Sequence, residues 1–363
     1  MSHPQSLARR LALALLLIIL ASSCLASQAP RNVILFIGDG MGIGQVTAAR
    51  LANGPLALDT MPVTGLVTTQ ALDSVVTDSA AAATALATGF KTNNGGISML
   101  PDGTKPRTIC ELARELGKWI GLVTTDSITG ATPAAFVAHV PKRGKEQGIA
   151  AQILASKAEV VLGGGRRQFL PTDAGGMRID GRDLIFEAKE LGYEVATDGV
   201  QLDAAKGPKL LGLFADATMS DPAAGPSLSQ MTTRAISALK QNKRGYFLMV
   251  EQALTDTSGH ANSAAGVVDA VSKLDSAVRA ALDLAAKDKD TLVLVTSDHD
   301  TGGMAMKDPG EQDAKFRAAW TDGGHTGNMV AIYAFGPGAS LFTGTHDNTD
   351  IPKLIAKLWG KGL

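Results

Sequence analysis

Short apolar runs rich in Val, Ile and Leu alternate along the chain with stretches in which apolar residues recur every three to four positions. The runs Asn32 to Ile37, Trp119 to Thr124, Glu159 to Leu162, Tyr246 to Val250, Thr291 to Thr296 and Met329 to Ala334 predict buried strands. Thr108 to Leu116, Asp183 to Leu191, Ser229 to Lys240, Val267 to Ala286 and Ile351 to Trp359 predict helices with one apolar face. Strand alternating with helix predicts an α/β fold, a mostly parallel central sheet with helices on both faces. No repeat or low-complexity linker interrupts the pattern, so residues 27–363 read as a single domain. The Gly-rich or polar stretches Pro171 to Met177 and Met304 to Gly324 read as surface loops.

The first residues break the pattern. Arg9 and Arg10 precede an apolar run from Leu11 to Ala21, and small residues continue to Ser27. A basic start, a short apolar centre and a small-residue exit form an export signal over residues 1–26, which implies a periplasmic or extracellular protein. The run is short for a membrane span. A buried N-terminal helix, a twin-arginine signal and a lipid anchor at Cys24 are the alternatives. With Cys24 removed, Cys110 stands alone among apolar neighbours and reads as a buried structural thiol.

Composition narrows the function classes. Net charge is −1, with no basic block, and aromatics make up 4%. That argues against a nucleic-acid surface or a base-stacking platform. Apolar residues make up 45% of 363, ample for a large core.

The candidate chemistry lies where strands end. In open α/β sheets ligands gather beyond the carboxyl ends of strands. The first strand runs into Gly38-Asp39-Gly40, the run at Tyr246 into Glu251, and the run at Thr291 into Ser297-Asp298-His299. Carboxylate plus imidazole suits zinc, although Asp also favours plain turns. Asp256 and His260, four apart, would share one helix face. His325 sits in the Gly-rich loop Gly323-Gly324-His325-Thr326-Gly327, where a lone histidine is ordinarily a surface residue. Ser79 precedes an alanine run that predicts a helix, so it would lie at an N-terminus that favours anions. From this segment alone, a simple N-cap at Asp78 or Ser79 is the better reading. Thr132 could complete a magnesium site and Arg143 could clamp phosphate oxygens. His139 and His346 read as structural.

Taken in order, these segments resemble the alkaline phosphatase family. They are Asn32 to Gly42, Thr77-Asp78-Ser79-Ala80, Ala131-Thr132-Pro133-Ala134-Ala135, Val250-Glu251, Asp256 with His260, Thr296-Ser297-Asp298-His299 and His325-Thr326-Gly327. The resemblance implies a phosphomonoesterase with two Zn2+ and one Mg2+, acting through a phosphoserine and favoured at alkaline pH. It implies that Asp256, His260 and His325 hold one zinc. Asp39, Asp298, His299 and the Ser79 oxygen would hold the second. Asp39 would also reach magnesium, with Thr132 and Glu251. Arg143 would bind phosphoryl oxygens, oriented by Asp78. The expected partners are small phosphate monoesters and inorganic phosphate.

Two positions depart from the family pattern. Gly130 stands where many relatives carry an Asp or His near the magnesium, and Thr257 stands where they carry Lys, His or Trp. A phosphodiesterase of the same superfamily is the nearest competing expectation. Glu251, Thr132 and Arg143 argue for monoesters, because a diester has one charged oxygen fewer. Asp78-Ser79-Ala80-Ala81 is not a sulfatase modification motif, and a metal-binding protein without catalysis would need neither Ser79 nor Arg143.

Overall fold

In the computed structural model, which describes residues 29–220, 225–309 and 315–363, the apolar runs form the centre of one sheet. The export signal and Cys24 lie outside the described residues. Strands β1 (Asn32–Gly38), β2 (Val63–Thr68), β3 (Trp119–Ser127), β4 (Val160–Gly164), β5 (Glu194–Ala196), β6 (Leu210–Leu213), β7 (Tyr246–Gln252) and β8 (Thr291–Thr296) come first. The short strands β9 (Asp300–Thr301), β10 (Ala305–Lys307), β11 (Arg317–Ala319) and β12 (His325–Thr326) follow, then β13 (Val330–Phe335) and β14 (Gly344–Asp347). The large sheet has ten strands in the order β14-β2-β13-β8-β1-β7-β3-β4-β6-β5. Every pairing in it is parallel except those of β13, which runs antiparallel to β2 and β8.

The helices are α1 (Ile43–Asn53), α2 (Ser79–Thr88), α3 (Ile109–Glu115), α4 (Ala131–Val137), α5 (Glu146–Ser156), α6 (Leu184–Glu190), α7 (Gly199–Ala204), α8 (Leu228–Leu239), α9 (Leu254–His260), α10 (Ala264–Asp288) and α11 (Asp350–Leu358). They cover both faces. Val33, Leu35 and Ile37 of β1 pack into one core with α2 to α6 and α11. Ile34 and Phe36 pack into the other with α1, α7, α8 and α10. Period-two alternation on a strand buried on both sides produces this division, and explains why β1 is apolar throughout.

One expectation is refined. Met304 to Gly324 is more than a loop: β10 pairs with β11, and β9 pairs with β12 to join its ends. Cys110 is buried in the core, and burial pushes its thiol up. His139 is held by the Ser98 carbonyl and Glu111, and His346 by the Thr343 carbonyl, in keeping with structural roles. Among the described residues no helix is long and apolar enough to cross a membrane.

Candidate metal centre and nucleophile

β1, β7 and β8 lie side by side, and their carboxyl ends deliver Asp39, Glu251 and the Asp298-His299 pair to one edge. Hydrogen bonds fix the turn beyond β1. The Gly40 amide donates to Asp298 Oδ1 at 3.1 Å, and the Met41 amide to Ser297 Oγ at 2.9 Å. Gly40 has φ +70°, and a Cβ there would fall 2.7 Å from Asp256 Cα. Only glycine lets the β1 turn and α9 approach this closely.

Two groups of ligand-type atoms result. Asp39, Asp298 and His299 are buried together, with ligand-type atoms within 4.8 Å of one another. His299 Nε2 lies 3.4 Å from Asp39 Oδ1 and 3.2 Å from Asp298 Oδ2. Asp256, His260 and His325 form the second group. His260 Nε2 is 3.3 Å and His325 Nε2 3.5 Å from the Asp256 carboxylate. The four-residue spacing on α9 does place Asp256 and His260 on one face. His325 comes from β12, held across from β9. The His299 and His325 rings stack at 3.6 Å between centroids, so the two groups adjoin.

The imidazole tautomers follow from their partners. His260 Nδ1 faces the Gly323 carbonyl at 2.7 Å, and His325 Nδ1 faces the Thr77 carbonyl at 2.9 Å. A carbonyl only accepts, so each Nδ1 carries the proton and each Nε2 keeps a lone pair when neutral. Burial lowers His299 below its ordinary range and favours its neutral form. Burial opposes charge on Asp256, but His325 and His299, when their imidazoles are protonated, together with the Thr301 hydrogen bond outweigh it and hold it at about 2.

These residues suit a metal on structural grounds. Asp39 Oδ1 and Asp298 Oδ2 are buried with no hydrogen-bond partner. A buried, unpartnered carboxylate oxygen is costly unless a cation meets it. Mixed carboxylate and imidazole donors fit zinc. A third group is oxygen-only. Glu251 accepts from Thr124 Oγ1 at 2.5 Å, and the Thr132 hydroxyl faces the same carboxylate without a well-formed bond. Burial and the Asp126 charge push Glu251 up to about 8. Burial and Asp298 hold Asp39 well above the usual carboxylate range. Hard oxygen donors of this kind fit magnesium.

Ser79 is the first residue of α2, and its Oγ lies 3.2 Å from His299 Nε2. Asp78 is the N-cap, accepting from the Ala81 amide at 2.9 Å and from the Gly95 amide at 3.1 Å. Its other role is not excluded by capping: Arg143 Nη1 donates to Asp78 Oδ2 at 3.3 Å. All nine metal-site candidates and Arg143 thus converge on one edge. A cleft of about 320 Å³ beside them is lined by Arg143, Gly130 and Asp126. The larger cleft, about 680 Å³ around Arg107, Glu111 and His139, shares no lining residue with the two Asp-His groups.

Sequence reasoning missed Thr301 and Asp126. Thr301 Oγ1 donates to Asp256 Oδ1 at 2.5 Å and lies 3.2 Å from His299 Nδ1, linking the two groups. Its position directly after Asp298-His299-Asp300 is the available signal.

The alkaline phosphatase family profile matches residues 30–316 and 303–360. Alkaline phosphatase 3 of Bacillus subtilis is 34% identical over 90% of this chain and 88% of its own. The solved alkaline phosphatase from the Antarctic bacterium TAB5 superposes with a TM-score of 0.83 at 34% identity, covering 91% of this chain and 98% of that one. A variant of the TAB5 enzyme with magnesium bound in its M3 site gives 0.84 at 33% identity, covering 93% and 99%.

Proposed function

The chain belongs to the alkaline phosphatase family and is a phosphomonoester hydrolase; from that premise we propose that Ser79 is its nucleophile and that turnover passes through a phosphoserine. The observation that carries this is the placement of Ser79. Its hydroxyl sits at a helix N-terminus, 3.2 Å from His299 and beside the Asp78–Arg143 pair. Unpaired amides and the positive end of the dipole favour negative charge on oxygen there.

The Arg143 guanidinium, turned by Asp78, receives the non-bridging phosphoryl oxygens and neutralises charge as the serine oxygen attacks phosphorus. Asp39, Asp298 and His299 would hold one zinc, Asp256, His260 and His325 the other, and Asp39, Thr132 and Glu251 a magnesium. When bound, these ions supply Lewis acidity that eases deprotonation of the nucleophile and offsets charge on the leaving oxygen. Displacement releases the alcohol and leaves the phosphoryl group on Ser79. Water entering from the His260 side, which is 44% exposed, hydrolyses that ester and frees phosphate. Attack by deprotonated oxygen in both steps makes alkaline pH favourable.

The test pairs Ser79→Ala with an aryl phosphate monoester and its matching diester. The variant is expected to form no phosphoenzyme and to retain its zinc; wild-type turnover in the variant would overturn the assignment. The unsubstituted protein is expected to prefer the monoester increasingly as pH rises. A diester preference would favour the phosphodiesterase reading.

A further inference from the structure

Gly130 poses a steric question. It caps α4 with φ −57° and ψ 163°, angles open to any residue, so the backbone does not demand glycine. What excludes a side chain is a neighbour. A Cβ at position 130 would fall 2.2 Å from Asp126 Oδ2. The Asp126 carboxylate therefore occupies the space that a side chain at position 130 would fill.

That carboxylate is held in place. The pairing of β3 with β4 shifts register between Val123 and Ser127, and such irregularities re-aim side chains at strand ends. The Asp126 amide donates to Thr124 Oγ1 at 2.8 Å, and Thr124 Oγ1 donates to Glu251 at 2.5 Å. The Thr218 hydroxyl donates to Asp126 Oδ1 at 2.5 Å. The charge of Asp126 reaches both Asp39 and Glu251. Asp126 thus lies against Gly130, two residues before Thr132, and is joined through Thr124 to Glu251, while Thr132, 1% exposed, and Asp39 each present an unpartnered oxygen. Like charges held near one another carry a cost that a bound cation removes.

We propose that Asp126 is the carboxylate that completes the cation site of Asp39, Thr132 and Glu251, standing in for the side chain that position 130 lacks. The proposal rests on the reading that those three residues hold a cation. Magnesium retains several waters and takes only one or two carboxylates directly. Asp126 accepts hydrogen bonds from those waters, fixing their orientation and adding negative charge to the site.

The experiment is calorimetric titration of Mg2+ into the zinc-loaded protein, with zinc content measured in parallel. Asp126→Ala is expected to weaken Mg2+ binding by about tenfold or more while zinc content holds. In that background Gly130→Asp is expected to restore affinity, because the vacated space admits a carboxylate from the opposite side. Gly130→Asp alone, with Asp126 still in place, is expected to give no gain. Unchanged affinity in Asp126→Ala overturns the proposal. A loss that Gly130→Asp fails to reverse also overturns it, since the role of Asp126 would then be only to hold Thr218. Glu251→Gln separates the two levels. If it leaves Mg2+ binding intact, the cation site itself is misassigned; if it abolishes binding while Asp126→Ala does not, only the part given to Asp126 falls.

Discussion

At the scale of single residues, Asp78 shows how one side chain serves fold and chemistry together. One oxygen satisfies amides at the start of α2 and the other meets Arg143. Arg143 is 46% exposed, so its orientation depends on that contact more than on packing. Arg143→Ala is expected to lower kcat/KM for monoesters by about tenfold to about a hundredfold, the worth of a charged hydrogen bond. Diesters should lose less, and an unchanged monoester-to-diester ratio would show that Arg143 points elsewhere. The strand-end acids were legible because a carboxylate stands out after an apolar run. Asp126 was not, because Thr125-Asp126-Ser127 has the composition of any turn, and only the neighbouring backbone shows which way its side chain goes.

Among the elements, the strands buried on both faces were readable, since burial leaves them uniformly apolar. β5, β6 and β14 are short and lie towards the edges, where four residues or fewer give no period to detect. α4 escaped for a different reason: all seven of its residues are buried, so it has no polar face. α3 illustrates a legible helix with an exact boundary set by capping. The Thr108 hydroxyl accepts from the Glu111 amide at 3.1 Å and donates to the Phe136 carbonyl at 2.8 Å, while Glu111 reaches back to the Thr108 amide. Thr108→Ala is expected to cost about 2 kcal/mol, a lost cap plus a buried carbonyl left unpaired. Urea unfolding measures this, and a change within error would mean that α3 contributes its cap elsewhere.

For the whole molecule, the parallel arrangement gathers acids from several strands at one edge, and that concentration is expected to make stability depend on cations. Asp39 and Glu251 both bind protons more tightly in the fold than in an unfolded chain. A raised acid favours the folded state at low pH, and that advantage is lost as pH climbs through the folded value. Chelated protein should therefore lose thermal stability between about pH 4 and about pH 8, the window from ordinary carboxylates to Glu251. Restoring zinc and magnesium should raise the melting temperature most at the upper end. Equal melting with and without chelator at about pH 8 would contradict this dependence. The pairing of β9 with β12 carries a different consequence. It brings the two ends of residues 302–324 together beside the candidate metal centre, with Gly323 at one end holding His260, so chain added away from these ends need not move the ligands. Since closing a longer loop costs little once its ends are fixed, this is the point at which a substrate-selecting cap or a subunit contact can be grafted without rebuilding the chemistry beneath.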